Sequence, residues 1–83
     1  MSLIAWTELV PACQRGNLSM AALYVRYVAL GGLAPSGQLA AHLASGAPLS
    51  PLEHDVAVHA INERFLELDD PERLPYVCRG GPT

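Results

Sequence analysis

Asp55, His59 and Glu63 fall at i, i+4 and i+8 in a segment whose apolar residues repeat at helical spacing. At 3.6 residues per turn the three lie within an arc of about 80°. A carboxylate and an imidazole one turn apart can chelate a divalent metal, as the two histidines of an H-E-x-x-H helix do. No second segment brings ligands of matching chemistry, so the expectation here is a solvated face in which the two acids flank His59. A small helical ligand- or metal-binding domain built on Asp55, His59 and Glu63, with His54 beside them, is the alternative.

Other chemistry finds less support. His54-Asp55 is similar to the His-Asp pair of metal-dependent phosphohydrolases. Their other ligands lie on separate helices of a longer domain, and here only His42 stands upstream. The chain has no G-x-S-x-G, no P-loop and no G-x-G-x-x-G, the motifs that place a nucleophile or cradle phosphates. Neither enzymatic activity nor a cofactor is expected.

Arg26 is the one charge in the run from Met20 to Ala34. No acid lies within reach on its own helix, so an ion pair must be tertiary, with Glu8 or with an acid of the fourth helix. Two positions suggest themselves: in a groove, the guanidinium could anchor a carboxylate or other anion; on a solvent stripe with Ala22 and Ala29, its stem would cover apolar surface.

These residues need elements to hold them, and the pattern predicts four helices over approximately 3–15, 19–30, 35–45 and 51–68. In the first, Leu3, Trp6, Leu9, Val10 and Cys13 share helical spacing, Ser2 can cap the start, and Pro11 should kink or split it. Gly16-Asn17 ends it. The second begins after Ser19 and stops at Gly31-Gly32. Met20, Leu23, Tyr24 and Tyr27 form its bulky face; Ala21, Val25 and Val28 form a smaller one suited to close packing. Apolar almost all round, this helix is expected to be the centre of a bundle or half of an interface.

The third helix is short. Pro35 suits its start, Leu39 and Leu43 are its apolar contacts, and Gly46 closes it. The fourth opens on Ser50-Pro51-Leu52-Glu53, a capping box with proline at the first helical position. His54, Ala57, Val58, Ile61, Phe65 and Leu68 make its core stripe, and Asp69-Asp70-Pro71 its end. After it, Leu74, Tyr76 and Val77 should pack back on the bundle. No run alternates, so no sheet is expected. The fold class is therefore all-α, a compact bundle in a single domain over 1–78 with a flexible tail at 79–83.

Composition bounds the rest. Of 83 residues, 51% are hydrophobic and only 16% charged, which speaks against disorder and suggests that some surface is covered by a partner. The net charge of −3 lacks the positive field of a nucleic-acid binder. The third and fourth helices could pass for a helix-turn-helix, but Glu53 and Asp55 stand where phosphate contacts should be made. All cations are arginine, which, with the Ala, Gly and Pro content, suggests a GC-rich bacterial genome. Cys13 and Cys78 match no metal or disulfide pattern and are expected to be idle thiols. No signal peptide or membrane span is expected, which places the protein in the cytoplasm.

The function expected is a small non-enzymatic interaction or regulatory module that dimerises or docks on a larger protein. Trp6, Tyr24, Arg26 and Tyr27 are its expected contact residues, since aromatic side chains and arginine dominate interface energetics.

Overall fold

A computed structural model describes residues 6–77. The expected Ser2 cap, Leu3, Cys78 and the tail 79–83 lie outside the described residues. The elements are a 3₁₀ turn, Trp6–Glu8, followed by α1 (Leu9–Arg15), α2 (Met20–Ala29), α3 (Ser36–Ser45) and α4 (Pro51–Glu67). The fold is all-α, with no strand among the described residues.

The first expected helix is divided, and proline is the reason. The chain runs through the 3₁₀ turn and begins α1 at Leu9, so Pro11 falls in the first turn of α1. There its missing N–H has no intrahelical acceptor to lose.

Each helix stops on a left-handed residue. After α1, Asn17 has φ 52°, and Leu18 N–H returns to Cys13 O at 2.8 Å. After α2, Gly31 has φ 98°, and Gly32 N–H returns to Tyr27 O at 2.9 Å. After α4, Asp69 has φ 56°, and Asp70 N–H returns to Phe65 O at 2.9 Å. These are Schellman closures, which satisfy carbonyls the last turn would leave orphaned. α3 closes with the simpler left-handed cap, Gly46 at φ 73°, its N–H bonded to His42 O.

The central helix is α4, not α2. His54, Asp55, Ala57, Val58, Ala60, Ile61, Asn62 and Phe65 of α4 are all buried. In α2 only Leu23 and Tyr27 are buried. α2 packs mainly on α4, and the two run antiparallel. Arg64 Nε near the end of α4 donates to Gly16 O just before α2; Tyr27 late in α2 reaches Glu53 in the first turn of α4. The 3₁₀ turn packs on α1 and α3. Leu68, expected in the core stripe, lies past the helix end and is exposed.

Cys13 is a buried free thiol, and burial pushes its pKa up to about 11. At physiological pH it is a neutral apolar filler rather than a nucleophile.

Gly46 is required twice over, by its left-handed φ and by the Trp6 ring, which would lie 2.5 Å from an added Cβ. Gly46→Ala should therefore destabilise the protein by at least about 1–2 kcal/mol, the cost of a left-handed alanine. Gly37→Ala, on α3 with nothing within 4 Å of the new Cβ, should stabilise by about 0.5–1 kcal/mol through helix propensity. Urea unfolding of the two variants checks the opposite signs.

Candidate functional site

The polar stripe of α4 is occupied by the protein's own C-terminal segment. Asp55 is buried, and its Oδ1 accepts from Val77 N–H at 2.6 Å. His59 Nδ1 meets the Tyr76 hydroxyl at 2.9 Å. Asn62, one turn further on, clamps Leu74 by both backbone groups. Its Oδ1 accepts from Leu74 N–H at 2.8 Å and its Nδ2 donates to Leu74 O at 3.1 Å. Residues 71–77 form no helix or strand of their own, and side chains of α4 supply hydrogen-bond partners to the backbone of Leu74 and Val77.

That use corrects the expected solvated face. Asp55 is 1% exposed and turned to the C-terminal segment. His59 and Glu63 do approach each other, at 3.6 Å. Among the described residues, no group of three or more His, Cys, Asp or Glu side chains could hold a metal ion. The stripe thus has the spacing of a chelate and the employment of a clamp. Asn62, which the spacing did not single out, holds both backbone groups of Leu74 in the same clamp.

The second polar cluster surrounds Tyr27. Its ring is fully buried, and the ring faces Gly32 so closely that no side chain could stand there. Its hydroxyl accepts from Ala34 N–H at 2.9 Å and donates to the Glu53 carboxylate. Glu53 also accepts from Leu33 N–H at 3.0 Å. Ser50 caps α4 by accepting from Glu53 N–H at 3.2 Å. So the capping box forms in one direction only, with the Glu53 carboxylate bound to the phenol and the loop instead. The phenol and the loop N–H hold the Glu53 carboxyl below its ordinary range; burial and that carboxylate push the Tyr27 phenol up to about 12.

Of the four residues expected to make contacts, Tyr27 is therefore a core residue and not part of a surface. A side chain with no exposed area in the single chain has nothing to offer a partner. Tyr24 is half-buried, its hydroxyl bonded to Ala34 O at 3.2 Å. Trp6 is half-buried and lines a cleft of about 700 Å³ with Gln38, His42, Gly46, Pro48 and Leu49. Of the two kinds of partner expected for Arg26, the fourth helix supplies it rather than Glu8: its two terminal nitrogens bind the two oxygens of Glu67, both at 2.8 Å. Arg26 and Arg64 lower Glu67 to about 2. Arg15 grips Asp70 in the same bidentate way and lowers it as well.

Two histidines on different helices also meet, which spacing alone does not signal. His42 Nε2 and His54 Nδ1 are 3.0 Å apart and buried, and His42 Nδ1 bonds Ala47 O at 2.8 Å. Several polar groups at the Trp6 cleft are thus engaged internally. Gln38 Nε2 donates to Pro48 O, and the Ser50 hydroxyl serves the α4 cap.

What lacks a partner is apolar. Val25 is 68% exposed and Val28 47%. With Ala21 and Ala29, also exposed, they make up the outer face of α2. The sequence assigned Ala21, Val25 and Val28 to close packing, but they face solvent because Leu23 and Tyr27 take the side toward α4. Leu33, just beyond the helix, is 84% exposed.

No family model, no curated protein and no solved structure matches this chain.

Two expectations follow from the phenol–carboxylate cluster. Tyr27→Phe keeps the ring but leaves the buried Ala34 N–H without an acceptor, and should cost about 1–3 kcal/mol in urea unfolding. Glu53, Glu67 and Asp70 all have folded-state pKa values below their ordinary ones. Their stabilisation is therefore complete above the unfolded carboxylate range and is lost as pH falls below it. The melting temperature should decline as pH drops below about 4.5, and more shallowly in Glu53→Gln, which removes one of the three titrations.

Proposed function

We propose that this chain is a small non-enzymatic interaction module that associates with a second copy of itself through the outer face of α2. The supporting observation is the uncharged strip of Ala21, Val25, Val28 and Ala29, exposed on a helix whose opposite side is packed on α4. Soluble proteins seldom leave such a face bare unless something covers it.

A second copy fits the chemistry of the strip. Small and β-branched residues at i, i+4, i+7 and i+8 allow two helices to approach closely. The rim charge, Arg26, is already neutralised by Glu67, so two such faces can meet without opposing unpaired like charges. One helix face is small beside the roughly 800 Å² per partner of a standard interface, so the association is weak and concentration-dependent. Regulation by the level of the protein itself would follow from such an equilibrium.

Two further features favour binding over catalysis. The buried or half-buried acids of α4's first turns and the histidine pair are committed to internal bonds: Asp55 to Val77, Glu53 to Tyr27, and His42 to His54. α4, the would-be recognition helix of a DNA-binding reading, is the most buried helix and carries Glu53 and Asp55 at its start. Among the described residues no helix is long and apolar enough to cross a membrane.

Light scattering over a concentration series is the test. The average mass should rise from monomer toward dimer with concentration, and Val25→Glu should hold it at monomer with unchanged helicity, because Val25 supports no core contact. A mass that stays monomeric throughout, or a dimer indifferent to Val25→Glu, overturns the assignment of this face.

A further inference from the structure

The buried histidine pair has one consistent arrangement of hydrogens. Ala47 O can only accept, so the hydrogen of the 2.8 Å bond belongs to His42 Nδ1. A neutral imidazole carries one hydrogen, so His42 Nε2 is the acceptor of the 3.0 Å bond and His54 Nδ1 its donor. The relay runs from His54 Nδ1–H to His42 Nε2, and from His42 Nδ1–H to the Ala47 carbonyl. It ties the start of α4 to α3, and α3 to the connection 46–50.

Protons act on this relay in two unequal steps. The first can be taken at His54 Nε2 and leaves both bonds in place. The second has to go to His42 Nε2, which then points an N–H at the N–H of His54. Two donors and two cations would face each other at 3.0 Å, with Ala47 O the only acceptor in the relay.

We propose that the His42–His54 pair is a proton-operated latch: neutral, it holds the connection 46–50 closed over the bundle, and its second protonation releases that connection and opens the Trp6 cleft while the rest of the bundle stays folded. Three observations support it. The pair is buried, at 2% and 1% exposure. The connection it holds supplies Gly46, Ala47, Pro48 and Leu49 to the cleft wall. The carboxylate ties between elements keep their bonds at mildly acidic pH: Glu53, Glu67 and Asp70 are all held below the ordinary carboxylate range.

The charges around the pair set the direction. Burial and His42 lower the His54 pKa, and Asp55 beside it on α4 opposes them. Where α1 and α2 meet α3, the titratable side chain is the Cys13 thiol, which stays neutral. The 3₁₀ turn contributes Trp6 to the cleft, which carries no charge. In the same turn of α4, the Glu53 carboxylate is bound to Tyr27 and the loop. The neutral form of His54 thus belongs to the folded pair. Its stabilisation is full above the ordinary imidazole value of 6.5 and is lost as pH falls through and below it.

Trp6 is the only tryptophan and sits against Gly46 at the latch, so its fluorescence reports opening while far-UV circular dichroism reports the helices. Between about pH 7.5 and about pH 5, the intact chain should show a reversible fluorescence step at constant helicity. In His54→Gln the amide can donate or accept toward His42, so the step should vanish. Imidazole ¹⁵N shifts of the unmodified chain give a second readout. Both rings should be Nδ1–H tautomers at the upper pH. Flat fluorescence, a step that survives His54→Gln, a step accompanied by helix loss, or an Nε2–H tautomer in either ring overturns the proposal. If His54→Gln fails to fold, the tautomers and the helicity of the unmodified chain decide.

Discussion

The bond between the Tyr27 hydroxyl and the Glu53 carboxylate is the constraint that organises this molecule. The phenol lies wholly in the interior, where an unpaired hydroxyl would be costly. Satisfying it requires the start of α4 to stand beside the end of α2. It also requires the loop after α2 to fold back so that Leu33 and Ala34 present their N–H groups. One buried side chain therefore sets the antiparallel pairing of the two main helices and the path between α2 and α3. The ion pairs of Arg26 and Arg15 lie at the periphery. Exposed pairs of that kind contribute little individually, and they fasten an arrangement the interior has already chosen.

The existence, order and ends of the helices were legible in the sequence because their signals are local. Ser19, Ser50 and Pro51 start helices as their chemistry predicts, and Asn17, Gly31, Gly46 and Asp69 stop them. The identity of the central helix was not legible. α2 is the more apolar in sequence, yet α4 is the more buried. Asp55, His54 and Asn62 read as polar along the chain, and each finds its partner only in the folded molecule, at Val77, His42 and Leu74 respectively. A hydrophobic pattern counts side chains and cannot foresee that a polar one will be satisfied by a distant backbone.

The candidate sites show the same division. Arg26 was expected to pair with Glu8 or with an acid of the fourth helix because its own helix offers none, and Glu67 is the partner it finds. Tyr27 was assigned to a surface because tyrosine is common at interfaces, which describes a residue type rather than a position. Asp55 and His59 were recognised as a stripe at helical spacing. Their occupant, an extended segment of the same chain, has no periodicity by which to announce itself.

The helix stops have a kinetic meaning as well. Schellman closures form between residues five apart, so each helix can terminate before any tertiary contact exists. α1 with its turn, and α4 with the segment that Asn62 and Asp55 gather in, are units whose bonds span short stretches of chain. The Tyr27–Glu53 bond is among the few that must wait for distant segments to meet. Local closures of this kind cost little chain entropy to form. The Tyr27–Glu53 bond joins residues 26 apart, so it forms only when a phenol and a carboxylate from different helices leave water together.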